Sequence, residues 1–416
     1  MFKSKLFQSI KGVTLLRKYG FEHKPIENFE LKRALLVTKL SRYESEKQKY
    51  PHLSDNQLEE FIRNRGTDYD ALLHSHYIQK EFEKKIATSF KKVGVEIRIT
   101  NRVEFRTSPS KDILRWANLL VPVGGDGTFL LTAGRASPLV ASNQHRIPIV
   151  GFNSDPARSE GRLMLPKEYS ENPDDAVQRI VSGNFRWMHR TRIRTSLLTN
   201  NGKTPESIDL HGHTISRMEQ EQTAPEMLSE KYSKKYKAVM KRVLPYLALN
   251  EVFIGETLSA RVSLLQLMVD DLDTVNKTKC SGLCVSTGTG STSWHHSINR
   301  LSTQHVEDLL KILGGKQQSL ADANPDHVAE QYNQNLLFPP DDSRLCYSIR
   351  EQICVGVWPI PKGFPSRNFV KKLYVKSKCI DASLVIDGSI AYPFNDGAKV
   401  LLEVYPEDAL VTIALD

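Results

Sequence analysis

Apolar residues follow two different rhythms along this chain. In the first part, short wholly apolar runs alternate with longer stretches of helical period. Arg33 to Lys39 reads as a buried strand, and Leu72 to Phe90 predicts a helix, with Ile78, Phe82, Ile86 and Phe90 at four-residue spacing. Val95–Ile99, Leu119–Val123 and Ile147–Phe152 read as further strands. Strands alternating with helices predict a parallel sheet covered on both faces. After about Phe185 the rhythm becomes that of short strands: Arg192–Leu198, Leu247–Ile254, Ala260–Met268, Gly282–Ser286, Leu373–Val375, Leu384–Ile386 and Val400–Val404. The expected fold class is therefore α/β plus all-β, with an N-terminal parallel-sheet α/β domain over 24–185 and a C-terminal β-rich domain over 186–416. Polar inserts are expected near 203–243 and 300–343, and no internal repeat is present. Within the first insert, Lys231 to Arg242 is interleaved with Tyr232, Tyr236 and Val239 and reads as an amphipathic helix. Asp387-Gly388, between two apolar runs, reads as a hairpin turn rather than a catalytic element.

The beginning of the chain differs from both parts. Lys3, Lys5, Lys11, Arg17 and Lys18 precede the first acidic residue, Glu22, and Phe2, Leu6, Ile10 and Val13 share one helical face. An acid-poor, basic amphipathic start reads as a transit peptide over 1–23, hence as a mitochondrial matrix protein; a basic surface helix is the alternative. The formal charge is +9 for 416 residues; residues 1–21 hold five basic and no acidic side chains, and without them it is +4. That excess suits anionic nucleotides and gives no reason to expect nucleic acid. No apolar run is long enough to span a membrane. Five cysteines, without a Cys-x-x-Cys pair, argue against a disulfide framework or a zinc site.

The candidate chemistry begins at Gly124-Gly125-Asp126-Gly127-Thr128, directly after the apolar run Leu119–Val123 and before Phe129-Leu130-Leu131-Thr132-Ala133, which reads as the start of a helix. Glycines at a strand end bring bare backbone N–H groups and a helix N-terminus together, a setting for phosphate. Asp126 would repel phosphate, so it suits a hydroxyl, a proton or a metal. The bland alternative is a tight turn with a capping Asp. Neither the dinucleotide fingerprint nor a Walker loop fits, because no Gly-Lys-Ser/Thr follows. Downstream, Gly282 to Trp294 begins as an apolar strand and breaks into Ser286-Thr287-Gly288-Thr289-Gly290-Ser291-Thr292, whose hydroxyls suit ribose or phosphate oxygens. Asn250-Glu251 interrupts an apolar strand; an edge-strand pair and a pair of binding groups are equally open readings.

These three elements, in this order, resemble the NAD kinase family. Its Gly-Gly-Asp-Gly-Thr motif is matched at 124–128, its Asn-Glu at Asn250 and Glu251, its Ser/Thr/Gly motif at 286–294, and a late Asp-Gly at Asp387-Gly388. The resemblance runs from about Arg33 to the C-terminus. The long inserts and the segment Gly151–Gly161 are most similar to the divergent mitochondrial branch. Departures are Gly288 where the family usually has Pro, Trp294 where it has Tyr, and Ser281 where an Asp is common.

The resemblance implies transfer of the γ-phosphoryl group of ATP to the 2′-hydroxyl of the adenosine ribose of NAD, forming NADP. It implies Asp126 as the catalytic residue. It implies substrate contacts from Gly124, Gly125, Gly127, Thr128, Asn250, Glu251, Thr287, Thr289, Gly290, Ser291 and Thr292. Mg2+ would arrive with ATP, near Asp126, without a dedicated set of protein ligands. A homodimer is expected, with NAD and ATP as partners and no nucleic acid or membrane. The competing readings are a diacylglycerol-type lipid kinase, which shares the Gly-Gly-Asp-Gly turn, and a catalytically silent NAD(P)-binding protein.

Overall fold

The computed structural model describes residues 19–23, 26, 29–107, 111–141, 146–211, 224–270, 272–314, 323–355 and 364–415. The amphipathic face proposed for Phe2 to Val13 lies outside them. Two compact units divide the described residues: 26–188 with 410–415, and 189–409 with 19–23.

The first unit is built on a four-stranded parallel sheet of β1 (Arg33–Thr38), β2 (Glu96–Asn101), β3 (Leu119–Gly124) and β4 (Phe152–Asn153), in the order β2-β1-β3-β4. All of β3 and all but the first residue of β1 are buried, as expected for a parallel sheet covered on both sides. The helix Tyr69–Lys92 covers it with Ile86, Ala87 and Phe90, and the helix Pro173–Val181 adds Ala176, Val177 and Ile180 to the same core. Ile413 and Leu415 join that core, and the Ile149 N–H donates to the Val411 carbonyl at 3.0 Å. The last strand, β20 (Leu410–Ala414), thus belongs with the first unit, whereas the sequence pattern had grouped it with the β-rich part.

The second unit contains two seven-stranded antiparallel sheets. One runs β15-β14-β13-β10-β17-β18-β7, from β7 (Ile208–Asp209), β10 (Glu251–Glu256), β13 (Gly282–Ser286), β14 (Leu345–Arg350), β15 (Arg367–Val370), β17 (Ala382–Ile386) and β18 (Ile390–Pro393). The other runs β12-β11-β16-β19-β6-β9-β8, from β6 (Ile193–Thr199), β8 (Glu226–Met227), β9 (Met240–Val243), β11 (Ser263–Val269), β12 (Asn276–Cys280), β16 (Lys372–Ser377) and β19 (Lys399–Val404). Both sheets contribute to one core: Val252, Ile254, Val285 and Leu384 from the first, and Leu265, Leu267, Val375 and Leu402 from the second. Each follows its strand's two-residue alternation.

Three expectations are corrected here. Lys231–Arg242 is not one helix: a helix covers Glu230–Tyr236, Lys237 takes a left-handed φ of 50°, and β9 follows at Met240. The first insert is thereby woven into the sheet, with β9 paired to β6. Leu247–Ile254 is broken at its middle, since β10 starts only at Glu251 and Ala248 makes an isolated bridge to Ile193. Strand β11 begins at Ser263 rather than Ala260. Residues 19–23, counted above with the leader, lie against the β-rich unit: Gly20 bridges Asp342. The second insert holds the helices Thr303–Gly314 and Pro325–Gln334.

Candidate active site

In the first unit, β3 ends at Gly124 and a helix, Asp126–Ala141, begins two residues later. Strand and helix share a sharp corner, closed by hydrogen bonds from the N–H groups of Thr128 (2.8 Å) and Phe129 (3.3 Å) to the Gly125 carbonyl. The five residues of the motif divide by exposure. Thr128 is buried and packs behind Gly124, whereas Asp126 is half-buried and Gly127 is exposed. The residues reaching outward are therefore Gly125, Asp126 and Gly127, with Thr128 serving the corner.

Gly127 has no structural requirement to be glycine. Its φ is ordinary, and a Cβ there would meet nothing within 4 Å. A glycine in a helix costs up to about 1 kcal/mol relative to alanine, and the open space beside Gly127 leaves room for a molecule lying against the backbone.

Asp126 does not cap its own helix. Its Oδ1 accepts the Leu163 N–H at 2.9 Å and its Oδ2 accepts the Arg162 N–H at 3.1 Å. Both donors sit on the loop after β4, and that loop is tied to the corner in turn. The Ser154 N–H donates to the Gly124 carbonyl at 2.8 Å, Asn153 Nδ2 donates to the Ser159 carbonyl at 3.0 Å, and Asn153 Oδ1 accepts the Asp155 N–H at 3.1 Å. The carboxylate is thus held in one orientation by two backbone donors, and each oxygen retains acceptor capacity. The segment 151–161, where the sequence departs from the family pattern, ties this loop to the Gly124 corner, and the two residues that follow it, Arg162 and Leu163, fix Asp126.

In the second unit, Asn250 and Glu251 lie at the entrance of β10, an interior strand between β13 and β17. The edge-strand reading is excluded. Val252 and Ile254 turn into the core, so Glu251 and Phe253 share the opposite face. Glu251 is only 7% exposed, and its Oε2 has no hydrogen-bond partner. Burial, and then the nearby Asp387 carboxylate, push its pKa up to about 8. Glu251 therefore carries its proton at neutral pH and can donate as well as accept.

Asp387 sits at the turn between β17 and β18 with a left-handed φ of 47°. Its Oδ2 accepts the Leu249 N–H (2.7 Å), and its Oδ1 accepts those of Asn250 (2.8 Å) and Glu251 (3.1 Å). Burial raises its pKa to about 6, against the lowering effect of these three donors and of Arg192. The hairpin expected at Asp387-Gly388 is present, with Ile386 paired to Ile390. Its side chain has the further job of holding the Asn-Glu corner, which the turn signal in the sequence did not convey.

The Ser/Thr/Gly loop follows β13 and leads into a short helix, Trp294–Asn299. Thr287 is fully buried; its hydroxyl donates to the Leu249 and Asn250 carbonyls, its N–H donates to the Asn250 carbonyl at 2.9 Å, and its Oγ1 accepts the Gly290 N–H at 3.2 Å. Ser291 donates to the Gly288 carbonyl at 2.7 Å and accepts the Phe338 N–H at 3.3 Å. Both hydroxyls fasten the loop to its surroundings. Thr289 faces Arg190 at 3.5 Å, and Thr292 makes a single 3.3 Å bond to the Thr289 carbonyl. Gly288 is a packing necessity, because a Cβ there would stand 1.7 Å from the Pro339 carbonyl oxygen. The return of the second insert occupies that space, which accounts for glycine in place of the family's proline. Trp294 stacks on Phe253 at 4.3 Å with an interplanar angle of 25°, and beside it His295 is buried, its Nδ1 3.2 Å from Ser348 Oγ and its pKa lowered by burial to about 4.

Among the described residues, no group of three or more His, Cys, Asp or Glu is placed to hold a metal ion, and no helix is long and apolar enough to cross a membrane. No protein-family model matches the chain. The chain is similar to mitochondrial NAD kinase 2 of Homo sapiens, with 37% identity over 393 residues, covering 93% of this chain and 85% of that protein. It is also 36% identical over 412 residues to mitochondrial NAD kinase 2 of Xenopus tropicalis, covering 94% and 92%. Among solved structures, yeast NADH kinase complexed with NADH superposes with a TM-score of 0.50 at 14% identity, over 94% of this chain and 85% of that one; this is a likeness of fold.

Proposed function

Since the chain belongs to the NAD kinase 2 family, we propose that it transfers the γ-phosphoryl group of ATP to the 2′-hydroxyl of the adenosine ribose of NAD, in the mitochondrial matrix. The observation that carries this reading is the Gly125–Gly127 corner, with one carboxylate locked in place by two backbone donors beside a glycine that the fold does not require.

In this mechanism Asp126 accepts a hydrogen bond from the 2′-hydroxyl and aims its oxygen at the γ-phosphorus. The new O2′–P bond forms as the bond between the γ-phosphorus and its bridging oxygen breaks. ADP leaves with the electron pair, and the hydroxyl proton passes to Asp126. A carboxylate is too weak a base to deprotonate a sugar hydroxyl beforehand. In a loose transition state proton loss comes late, so orientation followed by acceptance is enough. Asp126, with spare acceptor capacity, would lie beside ATP-bound Mg2+, which would supply neutralisation of charge on the phosphates. Gly125 and Gly127 leave backbone open to phosphate. Asn250 and protonated Glu251 hold NAD, with Thr289, Gly290 and Thr292 offering further polar contacts. Thr287, Ser291, Thr128 and Gly124 shape these loops.

The basic start of the chain serves as an import leader on this reading, and the working form is a homodimer. The experiment is direct: purified protein with NAD, ATP and Mg2+, with NADP measured by an NADP-specific dehydrogenase. NADP formation supports the proposal. NAD binding without NADP formation points instead to a silent binding protein, and phosphorylation of a diacylglycerol to a lipid kinase.

A further inference from the structure

Residues 19–23 make a set of contacts that a disposable leader has no reason to make. The Tyr19 carbonyl accepts the Ser343 N–H at 2.6 Å, and Gly20 forms an antiparallel bridge with Asp342. The Arg344 guanidinium lies 3.6 Å from the centre of the Tyr19 ring and 4.3 Å from that of Phe369, so it contacts both rings. Arg344 is itself fixed by the buried Asp342, with Nε to Oδ1 at 3.0 Å and Nη2 to Oδ2 at 2.8 Å. Four residues on, the His23 ring stacks flat on His189 at 3.9 Å.

The segment that receives these contacts leads to the Ser/Thr/Gly loop. Thr191 binds it twice, donating from its N–H to the Pro340 carbonyl at 2.8 Å and from its hydroxyl to the Asp342 carbonyl at 2.9 Å. One residue earlier, the Pro339 carbonyl fills the space beside Gly288, and Phe338 exchanges hydrogen bonds with Ser291. The six residues 338–343 thus join Tyr19 to the loop that carries Thr289 and Thr292.

We infer that Tyr19–His23 is a permanent strap of the β-rich unit that sets the 288–292 loop through residues 338–343, and that import processing leaves Tyr19 on the chain. The strap is made of one backbone bridge, one ring on a cation and one ring stack. Each is modest alone, and together they tie an otherwise free chain end to the back of the nucleotide loop. The inference stands on the β-rich unit by itself and needs no substrate, so it can fail while the kinase reading holds, and the reverse.

Two measurements test it. In the full-length protein carrying Tyr19→Ala and His23→Ala, amide hydrogen exchange at 341–343 and 288–292 should rise by roughly fivefold or more, the loss expected from a cation–ring contact and a ring stack, while β1 (33–38) exchanges at its wild-type rate. Unchanged exchange in both segments overturns the strap. Independently, the full-length chain imported into isolated mitochondria should yield a product whose N-terminal residue is Tyr19 or one before it. A product that begins after Tyr19 overturns the inference.

Discussion

Replacing Asp387 by Asn isolates the charge that organises the Asn-Glu corner. The left-handed backbone at this turn suits Asn as well as Asp, and the side chains are nearly the same size, so backbone strain and packing are unchanged. What changes is hydrogen bonding. Oδ1 now accepts the Asn250 and Glu251 N–H groups while Oδ2 accepts that of Leu249. An amide supplies one acceptor oxygen and sets an NH2 group against a donor. One backbone N–H is left unpaired, at about 1–3 kcal/mol, and two charge-assisted bonds become neutral ones of roughly half the strength. Against this, the cost of a buried charge is removed. The net cost should be about 2–4 kcal/mol, and it should be local. Hydrogen exchange resolved at amides 249–251 should accelerate by roughly 30- to 1000-fold in Asp387→Asn, at 1.36 kcal/mol per factor of ten. NAD should bind more weakly, because Asn250 and Glu251 lose their fixed position. Protection at 249–251 within about twofold of wild type would show that the three contacts do not hold the corner and refute the reasoning.

Three further predictions can be checked with single variants. Gly127→Ala should leave the unfolding free energy unchanged or raise it by up to about 1 kcal/mol, yet lower kcat/KM by tenfold or more; a fully active variant would remove the argument from open space. Gly288→Ala should destabilise the β-rich unit by about 1–3 kcal/mol through overpacking against the Pro339 carbonyl, seen as a lower denaturation midpoint. Glu251 and Asp387 both have carboxyl pKa values raised on folding, from 4.5 to about 8 and from 3.8 to about 6. A raised carboxyl pKa means that the native state holds the proton more tightly. Its contribution is fully present below the ordinary pKa and lost as pH rises through the folded one, so stability should fall from pH 3.8, where Asp387 begins to contribute, to about 8. Glu251→Gln should flatten the upper part of that fall; an unaltered slope would mean that Glu251 is ionised in the native protein.

How much of this was legible in the sequence depends on the range of the forces involved. The buried strands of the first unit were readable because whole apolar runs such as Leu119–Val123 have few alternatives, and the Gly124–Thr128 corner announced itself by composition. The helix expected over 231–242 failed because β9 is specified by its partner β6, far away in sequence; tertiary pairing overrode a locally plausible helical pattern. The placement of β20 is also a long-range matter, decided by the packing of Ile413 and Leu415 in the first unit's core. At the site, residue types pointed to Asp126, Asn250 and Glu251, but not to the backbone donors of Arg162 and Leu163, since an N–H group has no sequence signature. Asp387 carried a visible signal, Asp-Gly between strands, that a hairpin explained completely on its own. Thr287 and Ser291 look like ligand hydroxyls in sequence, and only their geometry shows them bonded to the backbone around the loop.

On the proposed mechanism Asp126 orients the acceptor hydroxyl of NAD and takes its proton during phosphoryl transfer. The most direct measurement is the rate of NADP formation from NAD and ATP with Mg2+ for the full-length protein and its Asp126→Asn variant, alongside NAD binding by calorimetry. The wild type should form NADP, the variant should lose about 10²–10⁴-fold in kcat, and its NAD affinity should stay within a few fold of wild type. A variant that turns over at a near-normal rate would contradict it.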